Sequence, residues 1–388
     1  MKETGFETDE ASRQIFLVVA FRVLRSVSAG MITLAFPYLV LGELHYSAFR
    51  LGLIYTAATI ATAGMGLFFG FLADVGGRKA ALISVSILLP LSSLIVLLST
   101  GLPALFAAAV LGGYSATGAL AGGGVGGSAM PIQSALVADL TSGRKRTVYF
   151  AVIAFLGSIA AAFGSLLVRL MTLKLVFISA TAISAVSVLT ALPLGRIGPR
   201  GNPRVLKSRV VIEKFTITGL LNGFSQGLVM PFLVPFFVIV YRLPMRQMAS
   251  YAFISGIIGS FSLLLAPWLD RQVGFVKSIT VTRGIGAALT ALLPLVRVLP
   301  VSVAVYLLIP ALRVTALPVQ QKAMSEMVAP EELGRAFGIN QITRLAASSG
   351  GTALAGYLLA TPLLPLPFFM YGGIMAANVY LYRRFFKS

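Results

Sequence analysis

Four arginines lie deep inside long apolar runs of the 388-residue chain: Arg22 and Arg25, three residues apart, then Arg313 and Arg344. At the helical rise of about 1.5 Å per residue, Arg25 falls about 15 Å into its run, Arg313 about 18 Å and Arg344 about 12 Å. Charge at such depth costs about 2.5–3.5 kcal/mol on insertion scales, so each guanidinium must meet water, a partner or a ligand. The chemistry a guanidinium offers is forked, charge-assisted hydrogen bonding to carboxylate or phosphate. Arg22 and Arg25 share one helical face. Asn222 and Gln226, four residues apart, do the same on another run, and Gln133 and Gln320 complete the polar set. These amides suit helix-to-helix hydrogen bonds as well as ligand contact. Arg283 and Lys322 fall within snorkelling reach of the surface and are assigned no role.

No acid balances these cations at their depth. Of the 12 acids, Glu43 falls in a loop on one side, and the rest lie in segments or helix ends on the other. The buried carboxylate common in proton-coupled carriers is therefore missing. The single histidine, His45, sits in a short loop and supports no proton relay. With no cysteine and one histidine, the chain offers no metal cluster, thiol nucleophile or acid–base set. Neither an enzyme nor a cofactor is expected.

The elements that position these residues follow from composition. The chain is 57% hydrophobic and 11% charged, whereas soluble domains are about 45–50% apolar and about 25% charged. Twelve spans of about 20 residues would use roughly 240 positions. Apolar windows place them near 15–41, 48–72, 80–99, 103–139, 147–170 and 173–194, then 213–241, 248–268, 278–298, 300–326, 336–360 and 363–382. The expected organisation is a tail (1–14), a six-helix bundle (15–194), a linker (195–212) rich in Gly, Pro and Arg, and a second bundle with a short tail (213–388). Nineteen of the 31 cations fall on the side of both termini and six on the other. The positive-inside rule then predicts cytoplasmic termini in a multi-pass protein of the cell membrane. That bias also accounts for the net charge of +19. With no solvated domain to present a basic face, nucleic acid is not an expected partner. The expected partners are a small-molecule substrate and the lipid bilayer, with a coupling ion left open and the monomer as functional unit.

The two sets of six spans carry matching landmarks. Pro37-Tyr38-Leu39-Val40 matches Pro231-Phe232-Leu233-Val234, Leu72-Ala73-Asp74 matches Trp268-Leu269-Asp270, and Pro131-Ile132-Gln133 with Asp139 matches Pro318-Val319-Gln320 with Glu326. The offsets are 194, 196 and 187 residues. The expected fold is all-α, with twelve transmembrane helices in two pseudo-symmetric six-helix bundles. Carriers built this way hold substrate between the halves near the midplane.

The segment Gly70-Phe71-Leu72-Ala73-Asp74-Val75-Gly76-Gly77-Arg78-Lys79 resembles the signature loop of the major facilitator superfamily. The resemblance implies a conformational latch of the outward-open state at Gly70, Asp74, Gly77, Arg78 and Lys79. The second half keeps Asp270, Arg271, Gly274 and Lys277, with Ala266 in place of the leading glycine. Val328 to Gly338 resembles the superfamily's acidic-then-Gly-Arg turn, of which Ser142 to Arg146 keeps only the basic part. Inner ion pairs are expected for Asp139 with Arg146 and for Glu326 with Arg335. The resemblance also implies a secondary active transporter working by alternating access, with spans one, four, seven and ten around the cavity. That favours Arg25 and Arg313 as cavity residues, joined by Arg22, Asn222, Gln226 and Arg344. Efflux of drugs or metabolites is the favoured role, uptake or exchange of an organic or inorganic anion the alternative, and a passive facilitator or channel a more distant one. Five glycines among Gly122–Gly127, each costing a helix about 1 kcal/mol against Ala, predict a kink, close contact or break in span four. Whether that segment gates or packs stays open.

Overall fold

A computed structural model describes residues 3–114, 127–141, 143–195, 208–329 and 332–386. The first half comprises α1 (Glu3–Pro37), α2 (Ala48–Gly76), α3 (Arg78–Leu98), α4 (Leu102–Gly112), α5 (Met130–Leu140), α6 (Gly143–Leu167) and α7 (Leu173–Ala191). The second comprises α8 (Arg209–Val229), α9 (Leu233–Tyr241), α10 (Met245–Val273), α11 (Phe275–Leu292), α12 (Leu299–Met327), α13 (Leu333–Leu359) and α14 (Leu366–Phe385). There is no strand among the described residues. Nine helical segments among them, with α8 and α9 joined, are long and apolar enough to cross a membrane. The other expected positions hold α4 and α5, α13, and α14. The protein is an integral, all-helical membrane protein.

Proline and glycine set the breaks. Pro37 cannot donate back along α1, and the chain continues as a π-turn over Tyr38–Glu43. A 3-10 turn at Met230–Phe232, next to Pro231, likewise separates α8 from α9. In the fourth span α4 stops at Gly113, which adopts left-handed φ 61°. Gly122 to Gly126 lie outside the described residues, and Gly127 opens a short 3-10 turn before α5. Both signature loops turn on a glycine with positive φ, Gly77 at 88° and Gly274 at 78°, a region closed to most side chains.

The duplication is visible in packing. A methyl group on Gly30 of α1 would strike the Ala161 carbonyl of α6, and one on Gly164 would strike that of Val27. In the second half Gly227 of α8 meets the Ser348 carbonyl of α13, and Gly351 meets that of Phe224. The Ser165 hydroxyl donates to the Gly30 carbonyl at 3.2 Å, as Thr352 does to Gly227 at 3.2 Å. Gly30 and Gly227 are 197 residues apart, Gly164 and Gly351 187, close to the offsets of the sequence landmarks. Small residues let these helix backbones touch, which is how membrane helices associate without a hydrophobic drive.

Among the described residues the contacts between the halves run from one end to mid-helix. At the end opposite the termini, Tyr38 donates to the Leu243 carbonyl at 2.8 Å, Tyr55 and Phe232 lie ring to ring at 6.1 Å, and Gly52 of α2 abuts Gly356 of α13. Along α6 and α10, Ser260 donates to Ser158 at 2.7 Å, and Arg169 donates to Ser250 at 3.0 Å. One apolar core there draws on both halves. At the basic end carrying the termini the core divides, one cluster confined to residues 18–194 and the other to 212–386. There, Gly64, Gly66 and Gly70 of α2 and Gly338 of α13 face open space. Among the described residues the apolar cores of the two halves stay separate toward the basic end.

Candidate substrate site

A small crevice within the second half, with room for about one water, gathers Asn222 and Gln226 from α8, Thr282 and Arg283 from α11, Arg313 from α12, and Tyr371 and Met375 from α14. Three of the expected cavity residues, Asn222, Gln226 and Arg313, therefore come together. Gln226 donates to the Asn222 side-chain oxygen at 2.8 Å, which orders both amides. Arg313 stands midway along α12 and is half-buried. Arg344, half-buried on α13, is held by Gln341 one turn earlier and lies in the field of Arg313 and Arg283.

Arg283 departs from the sequence reading. It does not snorkel: it is 5% exposed. It donates to the Asn378 side-chain oxygen at 2.6 Å and to that of Gln320 at 2.6 Å, and its guanidinium lies 4.7 Å from the Tyr382 ring centroid. Asn378 in turn donates to the Thr218 carbonyl at 2.7 Å. Neutral acceptors on α12 and α14 intercept the side chain before it can reach the surface.

The first half uses its arginines differently. Arg25 is 4% exposed and donates to the Ser86 carbonyl of α3 at 3.2 Å. In a regular helix that carbonyl would accept from residue 90, but Pro90 has no N–H to give. Arg25 thus satisfies an acceptor that proline leaves open. Replacing Arg25 with glutamine is expected to destabilise the fold by about 1–3 kcal/mol, the cost of an unsatisfied buried carbonyl, while ligand affinity stays the same. Thermal unfolding with and without ligand checks this. Arg22 is half-buried and lies across Gly157 of α6, where any side chain would collide with it. Gln133 is 2% exposed, and its amide nitrogen has no partner among the described residues.

Glycine pairs 197 residues apart, Gly30 with Gly227 and Gly77 with Gly274, set the register between the halves. In that register Arg25 corresponds to Asn222, and Ser86 to Arg283. Each half buries a guanidinium, but Arg25 reaches from α1 to α3, whereas Arg283 reaches from α11 to α12 and α14.

At the basic end Lys322 pairs with Asp270 at 2.6 Å and with Glu326 at 3.7 Å. The side chains of Asp74, Asp139, Arg146 and Arg335 lie outside the described residues. Gly70 has open space around it, and Arg78 and Lys79 begin α3 directly after Gly77, half-buried. Glu332, in the acidic turn, accepts the Ser208 backbone N–H at 2.8 Å, while the Ser208 hydroxyl accepts from the Ala329 N–H at 3.0 Å. That clasp fixes the entry to α8. Among the described residues no group of histidine, cysteine or acids is placed to hold a metal.

A family model for the Major Facilitator Superfamily matches residues 18–349. The chain belongs to the major facilitator superfamily. No curated protein sequence matches it. Among solved structures it is similar to the nucleoside transporter NupG, at 16% identity and a TM-score of 0.73, covering 97% of this chain and 99% of that one. The human organic anion transporter MFSD10 (TETRAN) aligns at 15% identity and a TM-score of 0.71, over 96% and 99% of the two chains. A bacterial homolog of the human lysosomal transporter Spinster, in an inward-facing and occupied conformation, aligns at 13% identity and a TM-score of 0.73, over 96% of each chain. This superfamily member is a membrane-embedded secondary transporter of small molecules and not an enzyme.

Proposed function

We propose that this transporter carries small negatively charged solutes out of the cytoplasm by alternating access. One observation carries the reading: Arg283 and Arg313 line a crevice within the second half, and the sequence places no acid at mid-depth in the spans. A guanidinium kept from bulk water costs free energy that a bound anion offsets through charge-assisted hydrogen bonds. The fold alone does not choose the cargo, since the same architecture serves a nucleoside transporter and an organic anion transporter. The residues do. The basic end is read as cytoplasmic from its excess of Lys and Arg, so the carrier loads from inside the cell. Rocking of the two halves about the midplane would close that end and part the opposite one.

Cells expressing the protein, loaded with labelled organic anions, cations and neutral solutes, test this. Faster loss of anions than from cells without it is the expected result. Export confined to cations or neutral solutes would overturn it.

A further inference from the structure

We infer that the seam between α6 and α10 is a lateral groove through which an amphipathic anion, one apolar chain with an anionic head, enters from the leaflet at the basic end. This rests on the anion reading above and names the class of anion.

The two helices belong to different halves and touch along one strip. Arg169 donates to Ser250 at 3.0 Å, Gly256 abuts Ala162, Ser260 donates to Ser158 at 2.7 Å, and the Phe155 and Phe261 rings lie 5.7 Å apart. Continued by helical turns toward the basic end, the same strip carries Leu264, Trp268 and Arg271 on α10, and Ala154 and Ala151 on α6. All five are exposed, Leu264 at 55% and Trp268 at 61%. The helices therefore part beyond Phe155 and Phe261. One wall of the gap carries large apolar side chains, the other only methyl groups.

Length and charge fit a single-chain anion. From Phe261 to Arg271 is ten residues, about 15 Å of helix. That is half of the roughly 30 Å hydrocarbon thickness, the depth of one leaflet. The two phenylalanines close the deep end. At the shallow end Arg144, Lys145 and Arg146 begin α6 and Arg271 stands in the last turn of α10, where Lys322 pairs with Asp270 at 2.6 Å. The seam between α2 and α13 also parts, with Ile60 and Leu67 exposed. Acids stand at its basic end, however: Asp74 near the end of α2, and Glu331 and Glu332 just before α13. An anionic head is drawn to the α6–α10 seam and opposed by the acids of the other.

Trp268 is the one tryptophan of the chain, so its fluorescence reads the groove. Full-length protein is placed in phosphatidylcholine vesicles whose acyl chains carry bromine, which quenches tryptophan on contact. Trp268 should be dimmer there than in unbrominated vesicles. Oleoyl lysophosphatidate, added as a minor fraction of the lipid, should restore the emission saturably. Oleoyl lysophosphatidylcholine should need several-fold more, and glycerol 3-phosphate should have no effect. Arg271→Gln should raise the lysophosphatidate requirement about fivefold, the share of one basic residue near a membrane surface. With Trp268→Phe and Leu189→Trp the reporter moves to α7, which packs on α1 and α3 of its own half, and restoration should vanish. Cells loaded with labelled lysophosphatidate should release it to external albumin faster than cells without the protein. Ala154→Phe, which fills the groove, should slow that release. Trp268 beyond the reach of bromine, equal potency of the two lysolipids, or equal restoration at both reporter positions would overturn the groove. Binding without protein-dependent release would overturn its role as an entrance for cargo. Should a variant fail to fold, the two lysolipids compared on the wild-type protein still decide. The anion reading fails separately: it stands if water-soluble organic anions leave cells while lysophosphatidate restores nothing. It falls if only cations or neutral solutes leave cells, even while lysophosphatidate binds.

Discussion

Replacing Arg313 with glutamine should reduce the export rate of an organic anion at low concentration by about 10- to 100-fold, with little change in the amount of folded protein. The range follows from the roughly 1.5–3 kcal/mol of a hydrogen bond to a charged group, at about 1.4 kcal/mol per factor of ten. Arg313 is half-buried and borders the crevice, whereas Arg25 is buried and ties α1 to α3. The two substitutions are therefore expected to separate: Arg313→Gln acts on transport, Arg25→Gln on stability. Concentration-dependent export together with thermal unfolding of both variants reads the difference. Unchanged kinetics in Arg313→Gln would remove that arginine from the cargo path.

Valine at Gly227 should abolish folding outright. The added carbon would overlap the Ser348 backbone carbonyl of α13, and a backbone atom cannot swing aside as a side-chain tip can. Overpacking a well-packed core costs about 1–3 kcal/mol when side chains yield, and more when they cannot. The repeat-related Gly30→Val should fail for the same reason against Ala161. Gly373→Val serves as the control, since nothing lies within 4 Å of a side chain added there. Size-exclusion profiles after detergent extraction should show a monodisperse peak for the control and aggregate for the other two. Normal folding of Gly227→Val would contradict the close α8–α13 crossing.

Much of this architecture can be read in the sequence, because lipid imposes simple rules. Apolar runs mark the spans, and the landmarks at Pro37 and Pro231 coincide with the two breaks of helical geometry. The glycines of the signature loops, Gly77 and Gly274, take the positive φ that only glycine adopts at low cost. The paired crossings at Gly30, Gly164, Gly227 and Gly351 escape sequence reading, because a glycine in an apolar run does not reveal which backbone touches it. The arginines show the same limit more sharply. Depth along a span gives the distance to the surface but not the direction a side chain faces. Arg25 and Arg283 have their partners on other helices: Ser86 lies 61 residues from Arg25, and Asn378 and Gln320 lie 95 and 37 residues from Arg283. The one available signal for Arg283 was the repeat register, which sets it against Ser86. Glu326 likewise finds Lys322, one turn away on its own helix.

Paired distance measurements between spin labels test the alternating-access account most directly, on a background that contains no cysteine. One pair replaces Phe49 and Tyr357, whose rings lie 6.3 Å apart where α2 and α13 meet at the closed end. The other replaces Gly70 and Gly338, in open space toward the basic ends of the same two helices. Without cargo the first pair should report a short distance and the second a long one. With an exported anion present, a population should appear in which the second distance shortens as the first lengthens. Two distances that stay fixed, or that change in the same direction, would contradict the account.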